Sequence, residues 1–101
     1  MNGKKLKKIR VQLMEMRRSP TSCKPRQFIS IAKQLGRVED GRGKEPNYVR
    51  THPWTSFPLS IPNHSSKDYK RATATNIIDT LLSDIDEWEL YLLELSDEEQ
   101  T

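Results

Sequence analysis

The stretch LSIPNHSSKDYK at residues 59–70, with the segment that follows it, decides the fold. Its apolar beginning predicts a strand over Phe57 to Ile61, and Pro62 then favours a turn. A lysine-bearing link leads to apolar residues that recur at helical spacing, with Thr73 or Thr75 available as an N-cap. We therefore predict a strand, a turn, a basic link and a final helix long enough to exceed about twenty residues.

Upstream of this stretch, the pattern changes from helix to short strands. A helix should begin near Pro25 and end at Gly36, because proline suits a first helical turn and glycine suits a helix end. Alternation predicts a strand over Tyr48 to His52, after a polar glycine-bearing turn at residues 40–44. A weaker first strand is expected around Arg37 to Glu39. The prolines on either side of the loop at residues 54–56 keep the sheet small.

The two ends of the chain carry complementary helical stripes. The segment from Lys4 to Arg18 is a basic amphipathic helix, and Pro20 stops it. Its apolar residues match an uncovered stripe near the C-terminus, and its cations match acidic residues there. We predict that the two terminal helices pack together, although either stripe could instead dock a second chain. The stripes are Leu6, Ile9, Leu13 and Met16, against Trp88, Leu92 and Leu95 with Glu87, Glu89 and Glu94.

Composition favours one intracellular domain. The chain has 101 residues, with 17 Lys/Arg against 14 Asp/Glu, and the charge is divided into a basic first half and an acidic second half. This division suggests a surface for a polyanion, or two halves that fold against each other. A single cysteine, Cys23, indicates a reducing compartment and no disulfide. No apolar run is long enough to cross a membrane, so we expect a cytoplasmic location, with no metal and no cofactor.

Residues 24 to about 85 resemble the HicA family, the toxin halves of bacterial toxin-antitoxin pairs. The resemblance is carried by residues 59–70 and the helix after them, and less strongly by the segment from Arg26 to Arg50. It implies an α+β fold, the αβββα arrangement of double-stranded-RNA-binding domains, with an extra N-terminal helix and an extended C-terminal helix. The expected organisation is a basic helix and linker at 1–23, the HicA-like domain at 24–95 and an acidic tail at 96–101.

The resemblance also implies a function. A HicA-like toxin binds RNA, acts as a messenger-RNA-cleaving ribonuclease (an mRNA interferase) and pairs with a HicB-like antitoxin. However, the family's catalytic histidine is replaced here by Asn47, and the aromatic residue that follows the family's glycine is replaced by Arg37. Asparagine cannot exchange a proton with the RNA 2′-hydroxyl near neutral pH. The alternative is a catalytically inactive RNA-binding or protein-interaction module.

Two histidines are candidates for the missing base. His64 matches the family's turn histidine, for which a structural or phosphate-contacting role is the more ordinary one. His52 precedes a proline and is the weaker candidate. Either could replace the lost base only if the fold brings it beside the loop that carries Arg42 and Lys44.

Six cations are candidates for contacts with RNA phosphates, because basic loops and helix N-termini both suit anions. Readout by shape and phosphate is expected of such a domain. The plainer alternative is an ordinary solvated charged surface. Trp54 and Tyr48 could stack on bases, but aromatic residues in so small a sheet are more often core. The oligomeric state is not predicted. The candidate cations are Arg42, Lys44, Arg50, Lys67, Lys70 and Arg71.

Overall fold

A computed structural model describes residues 1–41, 46–62 and 69–99 of the chain. Within those residues the protein is mixed α+β, with three α-helices, one short 3-10 helix and a three-stranded antiparallel sheet. The elements are α1 (Gly3–Arg18), a 3-10 helix (Pro20–Ser22), α2 (Pro25–Gln34), β1 (Val38–Asp40), β2 (Asn47–Val49), β3 (Leu59–Ser60) and α3 (Arg71–Glu99).

Local caps explain where the first two helices begin and end. α1 begins after Asn2, whose side-chain Oδ1 accepts a hydrogen bond of 2.8 Å from the Lys5 amide. α2 ends at Gln34, and two residues later Gly36 has φ of +94°, a conformation that side-chain-bearing residues rarely adopt. The amides of Gly36 and Arg37 donate to the carbonyls of Lys33 and Ala32, which is the Schellman arrangement. The predicted stop at Gly36 is confirmed.

The sheet has the order β1, β2, β3, with both pairs antiparallel. Its strands are shorter than expected. β2 ends at Val49 rather than His52, because the Arg50 carbonyl accepts a hydrogen bond from the Ser56 amide and closes the following loop. β3 covers Leu59–Ser60 only, and Phe57, which was expected in that strand, is 91% exposed.

α1 and α3 run antiparallel and share one hydrophobic core with α2 and the sheet. The predicted packing of the terminal helices is confirmed, and all four predicted apolar residues of α1 are buried. The predicted α3 stripe is covered only in part, because Leu95 is 37% exposed and Trp88 packs against the end of α2. The acidic partners are partly different from those expected. Arg10 contacts Asp86 and Glu89 at 2.6 and 3.1 Å, and Arg17 contacts Asp79 at 2.9 Å.

α3 is 29 residues long, which confirms the expectation of a helix above twenty residues. It begins at Arg71, before both predicted caps, because the Lys70 carbonyl already accepts the Ala74 amide at 3.0 Å. Near its other end, Trp88 is held by the end of α2. Its indole Nε1 donates to the Leu35 carbonyl at 2.8 Å, and its ring lies over Gly36.

Candidate nucleic-acid interface

The two loops that carry most of the predicted phosphate contacts leave the same end of the sheet. Asn47, the first residue of β2, is in register with Asp40 and with Ser60. One step further, the Ile61 amide donates to the Pro46 carbonyl at 3.2 Å. The β1–β2 connection and the β3–α3 connection therefore begin beside each other. We name this region the basic end, defined by the described residues 40–41, 46–47, 60–62 and 69–71.

α3 begins at the basic end and presents exposed cations there. Lys70 and Arg71 are both exposed, and the first turn of α3 contains no acidic residue. The first backbone N–H groups of a helix lack intrahelical partners, and the helix dipole adds partial positive charge at the same place. The start of α3 therefore has the chemical character of an anion-binding surface.

Tyr69 anchors the chain just before these cations. Its hydroxyl donates to the Pro62 carbonyl at 2.5 Å, and its ring packs on Phe28 of α2 with centroids 5.4 Å apart. Burial, together with the nearby Tyr48 hydroxyl, raises the pKa of the Tyr69 phenol to about 12. The neutral phenol is thus held between α2 and the β3–α3 connection, and it fixes the position from which Lys70 extends.

Several predicted site residues lie outside the described part of the chain. They are Arg42, Lys44, Lys67 and His64. Asn47, which the resemblance to the HicA family aligns with that family's catalytic histidine, is described. It opens β2 at the basic end and is half-buried.

Arg50 lies at the opposite end of β2 and corrects one prediction. Its side chain is buried, and its Nη2 lies 3.5 Å from an Asp84 oxygen and also pairs with Glu87. Its Nε and Nη1 have no hydrogen-bond partner among the described residues. An arginine enclosed in this way cannot reach an RNA phosphate, so Arg50 leaves the set of candidate phosphate contacts.

A buried ion pair between Arg37 and Asp84 was not predicted from the sequence. The Arg37 guanidinium contacts both oxygens of the Asp84 carboxylate, and its Nη1 also donates to the carbonyls of Tyr48 and Phe57. One side chain thus joins α3, β2 and the loop before β3. A weak signal was present, because Asp84 interrupts the apolar stripe of α3 between Leu81 and Trp88.

His52 is also remote from the basic end. Its ring packs edge-on against Trp88 and Tyr91, with centroids 5.2 and 5.1 Å apart. Since an α-helix rises about 1.5 Å per residue, Trp88 lies roughly 25 Å along α3 from Arg71. His52 thus follows the end of β2 opposite to Asn47, and the residues Arg42 and Lys44 named in the condition for a replacement base lie outside the described residues.

The two aromatic residues that could stack on bases, Tyr48 and Trp54, lie in different surroundings. Tyr48 is buried in the core, as the plainer interpretation expected. Trp54 is half-buried beside Tyr91, with centroids 6.1 Å apart, so it belongs to the cluster around His52. Neither ring is a fully exposed stacking surface.

α1 carries a second group of exposed cations that was not among the predicted contacts. Lys4, Lys5, Lys7 and Lys8 are exposed, and no ion pair holds them within the described residues. The arginines of the same helix differ. The hydrogen bond to Asp86 raises the pKa of Arg10, and the hydrogen bond to Asp79 raises the pKa of Arg17.

Comparison with protein-family models, curated proteins and solved structures finds no match to this chain. The helices among residues 1–41 and 69–99 include none that is both long and apolar enough to span a membrane. In the same described ranges and in 46–62, no cluster of His, Cys, Asp and Glu side chains is arranged to hold a metal ion.

Proposed function

We propose that this chain is a HicA-like RNA-binding protein of the cytoplasm that adopts the double-stranded-RNA-binding-domain arrangement. The family assignment depends on the sequence resemblance over residues 24 to about 85. It is supported by the order of α2, β1, β2, β3 and α3 and by an antiparallel sheet with neighbouring strands in chain order. By the same resemblance, the protein partner would be a HicB-like antitoxin.

One observation carries the proposal: the basic end joins the start of α3 to the β1–β2 connection. Lys70 and Arg71 are exposed at the start of α3, where the first helix amides have no partner inside the helix, and the first turn contains no carboxylate to oppose an incoming phosphate. The two connections begin next to each other at the contact between Ile61 and Pro46. A surface of this kind suits backbone phosphates and helix shape rather than base edges.

Binding without cleavage is the activity that the geometry supports best. The family's catalytic position holds Asn47, which has no titratable group, and His52 packs on α3 far from that position. Cleavage of messenger RNA, as in an active toxin, would have to depend on His64. We therefore place the chain with the non-catalytic descendants of the family.

The test is a titration of labelled double-stranded and single-stranded RNA with the purified chain, followed on gels that report both shift and cleavage. We expect double-stranded RNA to shift intact. A Lys70→Glu, Arg71→Glu variant should lose at least about tenfold in affinity, because two favourable phosphate contacts become repulsive. The matched control is Lys5→Glu, Lys33→Glu, which makes a similar reversal of charge on exposed residues away from the start of α3.

The outcomes distinguish specific RNA binding, RNA cleavage and protein interaction. An equal loss of RNA affinity in both variants would mean that RNA binds only by nonspecific attraction to the net positive charge. Cleavage that disappears in a His64→Ala variant would restore the toxin interpretation. No binding to either RNA would leave protein interaction as the remaining function of the fold.

A further inference from the structure

The antiparallel pair of α1 and α3 has a side that faces away from α2 and the sheet. On α1, the buried positions Leu6, Ile9, Leu13 and Met16 face the core, and Arg10 and Arg17 mark the edge next to α3. Residues 7, 11 and 14 come next around the helix, at steps of four and three. On α3, Asp79 and Asp86 mark the edge next to α1, Leu93 lies along that same edge, and Leu90 lies beyond it on the side that faces away from the core. We name these residues the outer hairpin face: Lys7, Val11, Met14, Asp86, Leu90 and Leu93.

The outer hairpin face is unusually apolar for a surface exposed to water. Val11 is 56% exposed, Met14 52%, Leu90 50% and Leu93 61%. Each helix contributes two of these side chains, and they recur at the spacing of a helix-packing stripe. Single exposed apolar residues are ordinary on protein surfaces, but four on one face of a helix pair indicate a surface that packs against something.

The charges beside these apolar residues have opposite signs on the two helices. α1 presents Lys4 and Lys7, which have no carboxylate partner within the described part of the chain. α3 presents Asp86, whose side chain is 67% exposed although Arg10 contacts it, and Glu94, which is exposed. When a second copy is rotated by 180° about an axis parallel to the helices, its basic α1 lies opposite the acidic α3 of the first copy, and the reverse holds for the other two helices.

We propose that a second copy of this chain covers the outer hairpin face, in a two-fold contact that forms a four-helix arrangement. In this contact α1 of one protomer lies against α3 of its partner, and the reverse holds across the axis. Lysines then face carboxylates twice, and the four apolar side chains of each protomer pack in the centre. The inference does not depend on RNA binding, because the basic end lies at the start of α3.

The size of the face sets the expected strength. α1 is roughly 24 Å long, and two helices side by side are roughly 20 Å wide, so each protomer offers on the order of 500 Å². Two such faces together are close to the lower limit of about 1,000 Å² for a specific interface. We therefore expect a dimer that dissociates on dilution rather than a permanent one.

Sedimentation velocity of the full chain over roughly 5 to 500 µM is the test, because a weak dimer changes mass across that range. Lys4→Glu with Lys7→Glu reverses the charge of the α1 side. Ser83, exposed and two helical turns before Leu90, lies on the same side of α3, so Ser83→Lys with Glu94→Lys makes the α3 side basic. Both pairs change exposed residues that have no ion pair within residues 1–41, 46–62 and 69–99. Each variant alone should weaken the dimer by at least about tenfold, since like charges would meet twice across the axis.

An equimolar mixture of the two variants should dimerise like the unmodified chain. In that mixture the acidic α1 meets the basic α3, and the unchanged helices meet each other. Lys5→Glu with Lys33→Glu, away from the outer hairpin face, should leave the mass distribution unchanged, and circular dichroism checks that all variants are folded. A monomer throughout the range would overturn the proposal, and so would a dimer that neither reversal weakens or a mixture that fails to recover.

Discussion

Arg37 and Asp84 form a two-pronged ion pair inside the protein, with Nε to Oδ2 at 2.6 Å and Nη2 to Oδ1 at 2.9 Å. The Arg37 side chain is 1% exposed and the Asp84 side chain 2%. Arg50 lies against the same carboxylate, so one buried acid serves two buried cations. The pair fixes the sheet onto α3, and the position of the basic end depends on that attachment.

Removal of the Asp84 carboxylate should be strongly destabilising. In Asp84→Ala, two buried guanidinium groups would remain without their shared acid, and breaking a buried pair costs about 3–5 kcal/mol of unfolding free energy. Denaturant unfolding at neutral pH measures the change. The control Asp86→Ala removes an exposed carboxylate from the pair with Arg10 and should cost no more than about 1 kcal/mol. Equal losses in the two variants would contradict the structural role of Asp84.

Gly36 should tolerate no side chain without strain, although space is available. A Cβ there would lie 3.5 Å from the His52 carbonyl oxygen, an ordinary contact, so the cost comes from the φ of +94°. Gly36→Ala should lower the unfolding free energy by about 1–2 kcal/mol. The matched control is Gly41→Ala, where a Cβ meets nothing within 4 Å and φ is not in the left-handed range. That control should be neutral or slightly stabilising in thermal unfolding.

α1 should contribute core packing and not only charge. Leu13 of α1 is fully buried against the rest of the core. Truncation of its side chain leaves a cavity that neighbouring side chains fill only in part. Leu13→Ala should therefore cost about 2–5 kcal/mol. The adjacent exposed Gln12→Ala should change stability by no more than about 0.5 kcal/mol. If Leu13→Ala unfolds like the unmodified chain, α1 is an appended helix rather than part of the core.

Alkaline pH should weaken the fold in part through Tyr69. Its pKa is raised to about 12 by burial and by the nearby Tyr48, against about 10 for a free phenol. The stabilisation is fully present below about pH 10, and it is lost as pH rises through about 12, because the unfolded chain releases the proton first. The unfolding free energy of the unmodified chain should therefore fall more steeply between about pH 10 and 12 than that of Tyr69→Phe. Lysine titration is common to both proteins, so parallel pH profiles would exclude a role for Tyr69.

The helices were predictable from the sequence because their signals are local. Apolar residues at steps of three and four define the buried side of α1, and a proline and a glycine mark the ends of α1 and α2. Opposite charges on the terminal helices also predicted their contact. The start of α3 was not predicted correctly, because Lys70 supplies the first carbonyl of the helix, whereas hydroxyl residues such as Thr73 and Thr75 are the more common N-caps.

The buried charges could not be predicted, because their partners are distant in sequence. Arg37 and Asp84 are 47 residues apart, and no periodicity connects them. Arg50 resembles a solvent-facing residue of an alternating strand, and only the position of α3 shows that it is enclosed. The candidate site was consequently predicted in part. Lys70 and Arg71 lie on an exposed helix start, whereas Arg50 and His52 lie at the opposite end of β2.

The most direct measurement of the central claim is the salt dependence of RNA affinity for the unmodified chain and for Lys70→Ala, Arg71→Ala. Each phosphate contact releases condensed counterions, so log affinity falls as log salt concentration rises. The magnitude of this negative slope should become smaller by roughly 1 for each lost contact, or by roughly 2 in the double variant. The control Lys5→Ala, Lys33→Ala should keep the slope of the unmodified chain. An unchanged slope in Lys70→Ala, Arg71→Ala would contradict the account, because RNA would then bind elsewhere than the start of α3.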